Sequence, residues 1–402
     1  MATRKPPVAH PNGARLLSLD GGGVRGIAAL IVLDKIMHLI QKRMELTKLP
    51  LPADYFELAA GTSAGGINAI MFFRLRMTTQ EAIEQYKIIS KEMFAPTVGG
   101  WHVPIWMEGI VNKIKLVFTN TRYSSKRLEK AIDSVMEKHG LDPDDRTDKG
   151  EALLQHPDAS KMFMCATVEN KMETALLRSY VKTTTYSTRS VNEILQRNQI
   201  NIRDAVMATT AAPTYFKQKS WNPTHIQGGE LIFWDGGLLN NNPIDQLWNE
   251  RHDLIAPEAS KLPISCVISL GTGHIKLGGS PSLWFKLIGI ASSLISFATN
   301  TNAKHMSFKS HWLDLRRRPE YEKTEYVRFE PLLEHDIELS DYRSIPNLEQ
   351  ITRKYLQKDT TQQKLMKAVD AICPPKAVDA ICPPKAVDAI CLPKAVDATC
   401  SL

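Results

Sequence analysis

The stretch Ala60-Gly-Thr-Ser-Ala-Gly-Gly66 places Ser63 between two glycines, one lying two residues before it and the other two residues after it. This Gly-x-Ser-x-Gly spacing is typical of a nucleophile elbow, a tight turn from a strand into a helix that projects the serine hydroxyl into a cleft. Gly61 and Gly65 leave room where neighbouring segments approach the turn. The pattern indicates a nucleophile at Ser63; a glycine- and serine-rich loop without chemistry is the alternative, because short motifs also match by chance.

The residues on either side of this turn have the periodicity that an elbow requires. Residues 55–60, Tyr-Phe-Glu-Leu-Ala-Ala, predict a short buried strand. After the turn, Ile67, Ile70 and Met71 recur at helical spacing. We therefore expect a strand, a tight turn and a helix in that order around Ser63.

A second glycine-rich segment, Asp20-Gly-Gly-Gly-Val-Arg-Gly26, follows a predicted strand at 14–19 and precedes a predicted helix that begins near Ile27. Its glycines also satisfy the G-x-G-x-x-G pattern of dinucleotide-binding folds. That interpretation requires a second strand ending in an acidic residue about 20 residues further on. Residues 41–48 are polar and predict no strand, so the sequence argues against a nicotinamide or flavin dinucleotide.

Backbone N–H groups at the start of a helix also bind anions, assisted by the helix dipole. In an acyl-transfer enzyme the anion is the oxyanion of the tetrahedral intermediate, and such donors form the oxyanion hole. One βαβ unit separates the glycine-rich segment from Ser63. Both loops can therefore open at the same edge of a sheet, where open α/β sheets bind ligands.

Asp235 is the third candidate. The hydrophobic strand predicted at 231–234 runs directly into Asp235-Gly-Gly237. An acid at a strand end that is followed at once by glycines is presented to a cleft. The alternative is an Asp-Gly hairpin turn, but a hairpin does not explain Asn240-Asn-Asn-Pro243, which comes next.

Composition limits the classes of protein to which the chain can belong. Its 402 residues are 43% hydrophobic and carry a formal charge of +7, with basic residues spread along the sequence. Aromatic residues do not alternate with Lys and Arg, which argues against a nucleic-acid partner. The six cysteines form neither a disulfide framework nor a C-x-x-C metal pattern. Residues 1–7 lack the apolar core of a signal peptide, so we expect a cytoplasmic protein, in part peripheral on membranes.

The longest apolar run, 283–298, is interrupted by Lys286 and is shorter than the roughly 18 residues that suggest a membrane span. It is interpreted as a core helix, or as a helix that lies flat in a lipid interface. The remaining pattern predicts further strands at 162–168, 175–180 and 265–270, and helices at 78–94 and 122–139. The segment 204–216 begins as a helix, which Pro213 ends.

The C-terminus repeats Lys-Ala-Val-Asp-Ala-Ile-Cys-Pro-Pro, with copies that begin at Lys367, Lys376, Lys385 and Lys394. Recurring proline prevents a continuous helix, so a disordered tandem repeat is predicted. The predicted organisation is a flexible tail at 1–14, a catalytic domain at 15–275, a helical extension packing on it at 276–366, and the repeat at 367–402.

Taken in order, these motifs resemble the patatin-like phospholipase family. Besides the three segments above, Ala208-Thr-Thr-Ala-Ala-Pro-Thr-Tyr-Phe216 and Leu270-Gly-Thr-Gly273 match it, so the resemblance covers residues 14 to 275. It implies an α/β fold with three layers, α/β/α, around a central, mostly parallel sheet. It also implies a serine acyl hydrolase that uses a Ser-Asp dyad and an acyl-enzyme intermediate to cleave carboxylic esters of membrane lipids.

The resemblance assigns roles by position. Ser63 is the expected nucleophile and Asp235 the base. Apart from the resemblance, the charge of Arg25 makes it a candidate contact to a lipid phosphate; the alternative is an exposed cation near a helix start. No metal or cofactor is expected, and the activity is predicted to be independent of calcium. The expected oxyanion-hole residues are Gly21, Gly22, Gly23, Val24 and Ala64, and the remaining motif glycines are Gly26, Gly61, Gly65, Gly236 and Gly237.

Several alternatives stay open at this point. One is a Ser-Asp-His triad, for which the histidines that follow Asp235 in the order of α/β-hydrolases are candidates. Others are a triacylglycerol lipase or an acyltransferase on the same dyad, and a non-catalytic lipid-binding or storage protein with the same fold. The expected partners are a phospholipid or other acyl lipid and a peripheral membrane surface. The histidines in question are His252, His274, His305, His311 and His335.

Overall fold

The computed structural model describes residues 7–95, 97–98, 101–102, 121–182, 191–222, 230–254, 263–275 and 301–374. Among these residues, the strands are β1 Ala14–Leu19, β2 Leu58–Thr62, β3 Thr97–Val98, β4 Trp101–His102, β5 Met162–Val168, β6 Glu173–Arg178, β7 Lys219–Trp221, β8 Leu231–Asp235, β9 Ile264–Leu270, β10 His274–Ile275, β11 Glu325–Phe329 and β12 Leu332–Leu333.

The α-helices of the same residues are α1 Ile27–Arg43, α2 Ala64–Ala69, α3 Thr79–Phe94, α4 Ser125–His139, α5 Pro143–Asp148, α6 Val191–Arg197, α7 Ile202–Thr209, α8 Gly237–Asn240, α9 Ile244–Glu250, α10 Thr301–Leu315, α11 Ile345–Gln357 and α12 Asp359–Ile372. A 3-10 helix, Gly23–Gly26, leads into α1, and a π-helix, Ile70–Arg74, continues α2. Further 3-10 turns lie at Pro52–Asp54, Lys149–Glu151, Arg251–Leu254 and Tyr342–Ser344.

The central sheet has the strand order β11-β9-β1-β2-β5-β8-β7, and β6 pairs with the other edge of β5. The strands from β11 to β5 are parallel to one another, whereas β6, β7 and β8 are joined by antiparallel pairs. The carboxyl ends of β1, β2, β9 and β11 therefore meet at one edge of the sheet, which is where ligands bind in open α/β sheets.

One strand enters this edge from the opposite direction. β5 is longer than β2: Thr62, the last residue of β2, pairs with Cys165, and β5 continues for three more residues. β8 pairs antiparallel with that projecting part, so that Asp235 lies opposite Ala166. The end of β8 thus lies next to the end of β2.

Helices cover both faces of the sheet. Over one face, α1, α3, α4, α7, α11 and α12 form the larger hydrophobic core with the apolar residues of β1, β5 and β9. Over the other face, α9 and α10 pack Leu247, Trp248, Phe308 and Trp312 against Leu16, Phe163 and Val267. This arrangement confirms the predicted three-layer α/β fold with a mostly parallel sheet.

α3 begins with a complete capping box, which fixes the helix that later forms one wall of the pocket. Thr78 Oγ1 accepts a hydrogen bond from Glu81 N at 3.2 Å, and Glu81 Oε2 accepts one from Thr78 N at 2.9 Å. Both contacts satisfy N–H groups that a helix start otherwise leaves open. The predicted start of this helix at residue 78 is confirmed as its N-cap.

The region after residue 275 is more than a helical extension. Its Glu325–Phe329 segment forms β11, which pairs in parallel with β9 and completes one edge of the central sheet. The prediction that the sheet-containing domain ends at residue 275 and that only a helical extension follows is therefore wrong, because β11 belongs to the central sheet. Glu325 and Arg328 interrupt the hydrophobic pattern of this strand, which is why the sequence did not reveal it.

The first copy of the C-terminal repeat is also ordered. Lys367–Ile372 is the last part of α12, and the prediction that the chain is disordered from Lys367 is wrong for these residues. Its final carbonyls are bound by side chains from elsewhere: Arg15 Nη1 donates to Ile372 O at 3.0 Å and Ser265 Oγ donates to Ala371 O at 2.7 Å. The later copies, from Lys376 onward, lie outside the described residues.

The N-terminal segment is tied to the body of the protein from Val8 onward. Val8 N donates to Asp54 O at 2.8 Å, and the Arg15 guanidinium binds Val8 O. His10 Nε2 lies 3.0 Å from Cys373 O. The predicted flexible tail at 1–14 is therefore wrong for residues 8–14, because the same arginine binds both ends of the described chain.

No helix in the described ranges combines the length and the apolar character needed to cross a membrane. The apolar run at 283–298 lies outside those ranges.

Candidate active site

Ser63 occupies the turn between β2 and α2 with φ 52° and ψ −120°, a backbone conformation that non-glycine residues rarely adopt. The flanking glycines make this turn possible. A Cβ at Gly61 would lie 2.2 Å from Gly65 O, and one at Gly65 would lie 2.2 Å from Leu19 O. The strained serine and the two close approaches together form the geometry of a nucleophile elbow.

Ser63 and Asp235 are in direct contact. Ser63 Oγ donates a hydrogen bond to Asp235 Oδ2 at 2.7 Å. The other carboxylate oxygen, Oδ1, accepts from Gly237 N at 2.6 Å, so the start of α8 fixes the orientation of the carboxylate. Thr167 Oγ1 also donates to Asp235 O at 3.1 Å, which holds the end of β8 against β5.

Thr209, the last residue of α7, holds the backbone of Ser63. Its Oγ1 accepts from Ser63 N at 2.9 Å and donates to Cys165 O at 2.6 Å. The side chain thus bridges the elbow and β5, the strand with which both β2 and β8 pair. The sequence motif containing Thr209 was matched by resemblance, and the structure gives this residue a physical contact with the elbow.

Asp235 is 6% exposed, and burial raises the pKa of its carboxyl group to about 6. The hydrogen bonds from Gly237 and Ser63 favour the carboxylate and limit this increase. The raised pKa makes the group a stronger base than an ordinary aspartate, while leaving it ionised at neutral pH.

The glycine-rich loop lies beside Ser63, and three contacts hold it there. Gly21 N donates to Asn241 O at 2.9 Å, Val24 N donates to Leu339 O at 2.8 Å, and the Tyr86 hydroxyl binds Gly23 O. Gly23 has φ +53°, and a Cβ there would lie 2.1 Å from Leu339 O, so a larger residue does not fit.

These contacts narrow the set of oxyanion donors. The N–H groups of Gly21 and Val24 already donate to backbone carbonyls, so the expectation that these two amides serve the oxyanion hole is corrected. Gly22, Gly23 and Ala64 line the same pocket as Ser63 and Asp235. Within the described chain no acceptor is bound to the N–H groups of Gly22 and Gly23.

Ser63 opens into an apolar pocket of about 750 Å³, a volume that includes space open to solvent. The composition of its lining suits a hydrocarbon chain. α3 supplies one wall and the segment that follows α7 supplies another, with Leu339 from the C-terminal region beside the glycine-rich loop. The apolar and aromatic side chains of the lining are Ile67, Tyr86, Ile89, Met93, Phe94, Ala212, Pro213, Tyr215, Phe216, Leu238 and Leu339.

Arg25 is not among the residues that line this pocket. It is 8% exposed, and its Nη1 lies 3.9 Å from the exposed carboxylate of Asp336. Burial lowers the pKa of its guanidinium, and Nε has no hydrogen-bond partner among the described residues. Arg25, the predicted contact to a lipid phosphate, thus belongs to the glycine-rich loop but does not line the pocket.

The remaining motif glycines are also close to the two functional side chains. Gly236 N donates to Thr209 O at 3.3 Å, and a Cβ at Gly236 would lie 2.1 Å from Cys165 O. At Gly26, an added Cβ would lie 2.4 Å from the Tyr86 hydroxyl. Both glycines allow neighbouring segments to pack closely around the site.

Histidine takes no part in this arrangement within the described chain. None of the histidines considered for a triad lines the pocket, and the oxygens of Asp235 accept from Ser63 and Gly237. His305, for example, is hydrogen-bonded to the Tyr326 hydroxyl at 2.8 Å on the far face of the sheet. In a triad, histidine would stand between the serine and the aspartate.

Asp142, Asp145 and His156 bring three potential metal-ligand atoms within 4.8 Å of one another. Both carboxylate oxygens of Asp145 accept hydrogen bonds from Arg74, at 2.7 and 2.8 Å. His156 Nε2 lies 2.9 Å from Asp142 Oδ2. The group is therefore held by its own ion pairs, and the expected independence from metals stays a prediction.

No role was predicted from the sequence for Arg328 or for Asn241, although both residues support the glycine-rich loop. Asp20 opens the motif but is completely buried and bound to Arg328, which is 308 residues further along the chain. Asn241, part of the run of three asparagines, accepts from Gly21 N and lines the pocket. The asparagine run was a usable signal, whereas nothing in the sequence pointed to Arg328.

A family model described as patatin-like phospholipase matches residues 17–248 of this chain. Calcium-independent phospholipase A2-gamma of Oryctolagus cuniculus is 27% identical over 362 residues, covering 88% of this chain and 39% of that protein. The cGAMP-activated phospholipase of Vibrio cholerae is 27% identical over 232 residues, covering 58% of this chain and 56% of that protein. The chain thus spans about two fifths of the length of the mammalian relative.

Among solved structures, VipD from Legionella pneumophila overlaps 92% of this chain and 71% of its own, at 15% identity and a TM-score of 0.35.

Proposed function

Because this chain belongs to the patatin-like phospholipase family, we propose that it hydrolyses carboxylic esters of membrane lipids, as a phospholipase A or lysophospholipase. The observation that carries this proposal is the 2.7 Å hydrogen bond from Ser63 Oγ to Asp235 Oδ2, two residues that line the same apolar pocket. A serine bound to a base, with backbone amides nearby and room for a hydrocarbon chain, has the parts that acyl transfer requires.

In the proposed reaction, Asp235 takes the hydroxyl proton of Ser63 while Oγ attacks the ester carbonyl carbon. The carbonyl oxygen becomes an oxyanion, and the amides of Gly22, Gly23 and Ala64 are the proposed donors to it. The intermediate then collapses, the bond to the leaving alcohol breaks, and that alcohol receives the proton from Asp235. Water attacks the resulting acyl-enzyme by the same steps, which releases the fatty acid and restores Ser63.

The raised pKa of Asp235 supports its role as the base. An ordinary aspartate has a pKa near 4 and accepts a proton weakly at neutral pH. A value of about 6 brings the group closer to the operating pH without protonating it. The dyad can therefore transfer a proton without a histidine between its two members.

The pocket next to Ser63 is proposed to hold the acyl chain. Its walls are almost entirely apolar, so a hydrocarbon chain would leave water at a gain of about 0.8 kcal/mol for each buried CH₂ group. We propose Arg25 as the contact for a lipid phosphate. A phosphate that displaces the exposed Asp336 would form a charge-assisted hydrogen bond with this guanidinium.

The central sheet is proposed to form one catalytic unit with the C-terminal region. β11 completes the sheet, and Leu339 from the same region lines the pocket. The proposed partners are the acyl lipid itself and a membrane surface reached peripherally from the cytoplasm.

A defined phospholipid, a lysophospholipid and a triacylglycerol, each assayed in vesicles or micelles with and without a calcium chelator, test this proposal. We expect release of fatty acid from at least one phospholipid substrate, unaffected by the chelator and lost in Ser63→Ala. Ser310→Ala, at an exposed position on α10, is the matched control and should retain full activity. Lipid binding without any release of fatty acid by the wild-type protein would instead support a lipid-binding protein.

A further inference from the structure

Arg328 on β11 reaches the start of the glycine-rich loop across one intervening strand. In the sheet, Arg328 is paired with Ser269 of β9, and Ser269 is paired with Ser18 of β1. The three residues form one row across parallel strands, on the same face of the sheet. The short side chain of Ser269 leaves space over β9 for the guanidinium to reach Asp20, directly after β1.

The contact at Asp20 is bidentate and buried. Arg328 Nη1 donates to Asp20 Oδ1 at 2.9 Å, and Nη2 donates to Oδ2 at 2.5 Å. Asp20 is completely buried and Arg328 is 7% exposed. The guanidinium also donates to Ser269 Oγ at 2.8 Å and contacts the Glu330 carboxylate. The two carboxylates raise the pKa of Arg328, so it keeps its charge.

Asp20 lies two residues before Gly22, the first of the two loop glycines whose amides are the proposed oxyanion donors. Its own N–H donates to Leu270 O at 3.0 Å, and the next carbonyl, Gly21 O, accepts from Thr272 Oγ1 at 3.0 Å. Backbone and side chain of Asp20 are therefore both anchored, and the direction in which the chain leaves β1 toward Gly22 is fixed by these contacts.

We propose that Arg328 is a positioning residue for the oxyanion hole, holding the loop through Asp20 so that the amides of Gly22 and Gly23 point at the reacting carbonyl. This inference rests on the proposed acyl hydrolase function. It places a functional side chain outside residues 17–248, the part of the chain that matches the family model. Arg328 touches neither substrate nor reacting atoms in this role; it acts through Asp20.

A second buried pair offers a matched comparison for a purely structural role. Arg74 donates to both oxygens of Asp145, at 2.8 and 2.7 Å, and the two residues are 0% and 4% exposed. Loss of either arginine leaves a buried carboxylate without its partner, which is strongly destabilising. The two pairs are alike in geometry and burial, but only Asp20 is adjacent to the glycine-rich loop.

The test compares Arg328→Lys with Arg74→Lys, using turnover per active site titrated with a fluorophosphonate. Normalising to titrated sites removes any loss caused by unfolded protein. We expect Arg328→Lys to lower kcat by about 10- to 100-fold, less than the loss of a whole oxyanion donor, with KM changed by no more than about twofold. Arg74→Lys should lower thermal stability to a similar extent and leave kcat per site unchanged.

An equal kcat per site in both variants would overturn the proposal. Should Arg328→Lys fail to fold, Asp20→Asn combined with Arg328→Met removes both buried charges together, an exchange that buried pairs often tolerate. The same fall in kcat is expected, and wild-type turnover would contradict it. Hydrolysis by the wild-type enzyme that is lost in Ser63→Ala tests the proposed function separately. The two failures can therefore be told apart: loss of the positioning role leaves the proposed function standing, whereas absence of hydrolysis removes both.

Discussion

Ser63 Oγ lies 2.7 Å from Asp235 Oδ2, although the strands that carry these residues run in opposite directions. β2 ends beside Cys165, and β8 arrives antiparallel along the part of β5 that projects beyond it, with Asp235 opposite Ala166. The extra length of β5 therefore brings the two ends together. Gly237 N and Thr209 Oγ1 then fix the carboxylate of Asp235 and the backbone of Ser63 in place.

The pH dependence of hydrolysis should report the ionisation of Asp235. Its pKa is raised to about 6 by burial, and the group acts as a base only when ionised. We expect kcat/KM to rise from pH 4.5 and to level off above about pH 7, with a midpoint near 6. A midpoint near 4 would mean that Asp235 is not the titrating base; a soluble ester substrate avoids effects of pH on lipid packing.

Replacement of Asp235 by asparagine should stabilise the protein at high pH, although it removes the proposed base. Because its pKa is higher in the folded protein than in the unfolded chain, the native state binds more protons between about pH 4 and 6, and stability is lost as the pH rises through that range. At pH 8 the buried charge opposes folding, so Asp235→Asn should increase the free energy of unfolding by on the order of 2 kcal/mol.

The expected gain in Asp235→Asn disappears below pH 4, where the wild-type carboxyl group is also neutral. Denaturant unfolding at pH 4 and pH 8 measures the difference in free energy of unfolding between the variant and the wild type. A variant that is less stable than the wild type at pH 8 would contradict the predicted cost of this charge. Asp204→Asn, at a carboxylate that pairs with Lys219 near the surface, is the control for a general effect of charge removal.

The first repeat copy should be needed for stability. Ala368, Val369 and Ile372 are buried, and the final carbonyls of α12 bind Arg15 and Ser265. A chain that ends at Met366 should lose about 3 kcal/mol or more of unfolding free energy. A chain that ends at Pro374 keeps α12 and is the control; we expect wild-type stability for it, and equal melting temperatures for the two truncations would contradict the assignment.

A larger side chain on α3 should shorten the pocket that is proposed to hold the acyl chain. Ser90 lines it and is 3% exposed, so Ser90→Phe places a ring where the chain is proposed to lie. Activity on long-chain esters should fall by about 10-fold or more relative to short-chain esters. Ile88→Phe, on the same helix at a position that is 53% exposed, is the control and should leave the ratio unchanged. An unchanged ratio in Ser90→Phe would place the acyl chain elsewhere.

Sequence patterns predicted the parts of this site that depend on local geometry. A strained turn needs small neighbours, so the glycines around Ser63 were visible as a motif, and β1 and β5 have the predicted bounds. The second strand is shifted, at Leu58–Thr62 in place of 55–60, because strand pairing with β1 and β5 decides where it starts. Residues 55–57 instead lead from a 3-10 turn into that strand.

Long-range contacts were not predictable in the same way. Arg328 occurs in a charged stretch with no distinctive spacing. Its partner Asp20 is recognisable in the sequence only as the first residue of a glycine motif. The pKa of Asp235 also depends on burial by segments far away in sequence, so the residues around it in the chain do not reveal that it is raised. Burial in the folded protein raises the pKa of Asp235, and the contact between Arg328 and Asp20 supports the glycine-rich loop. Both depend on tertiary packing.

Mass spectrometry can locate a fluorophosphonate adduct and follow its rate of formation, which tests directly whether Ser63 and Asp235 act as a dyad. We expect the adduct to form on Ser63, to be absent in Ser63→Ala, and to form at least about 100-fold more slowly in Asp235→Asn, which is typical for loss of a general base. An adduct on another residue, or labelling of Asp235→Asn at the wild-type rate, would contradict the proposed dyad.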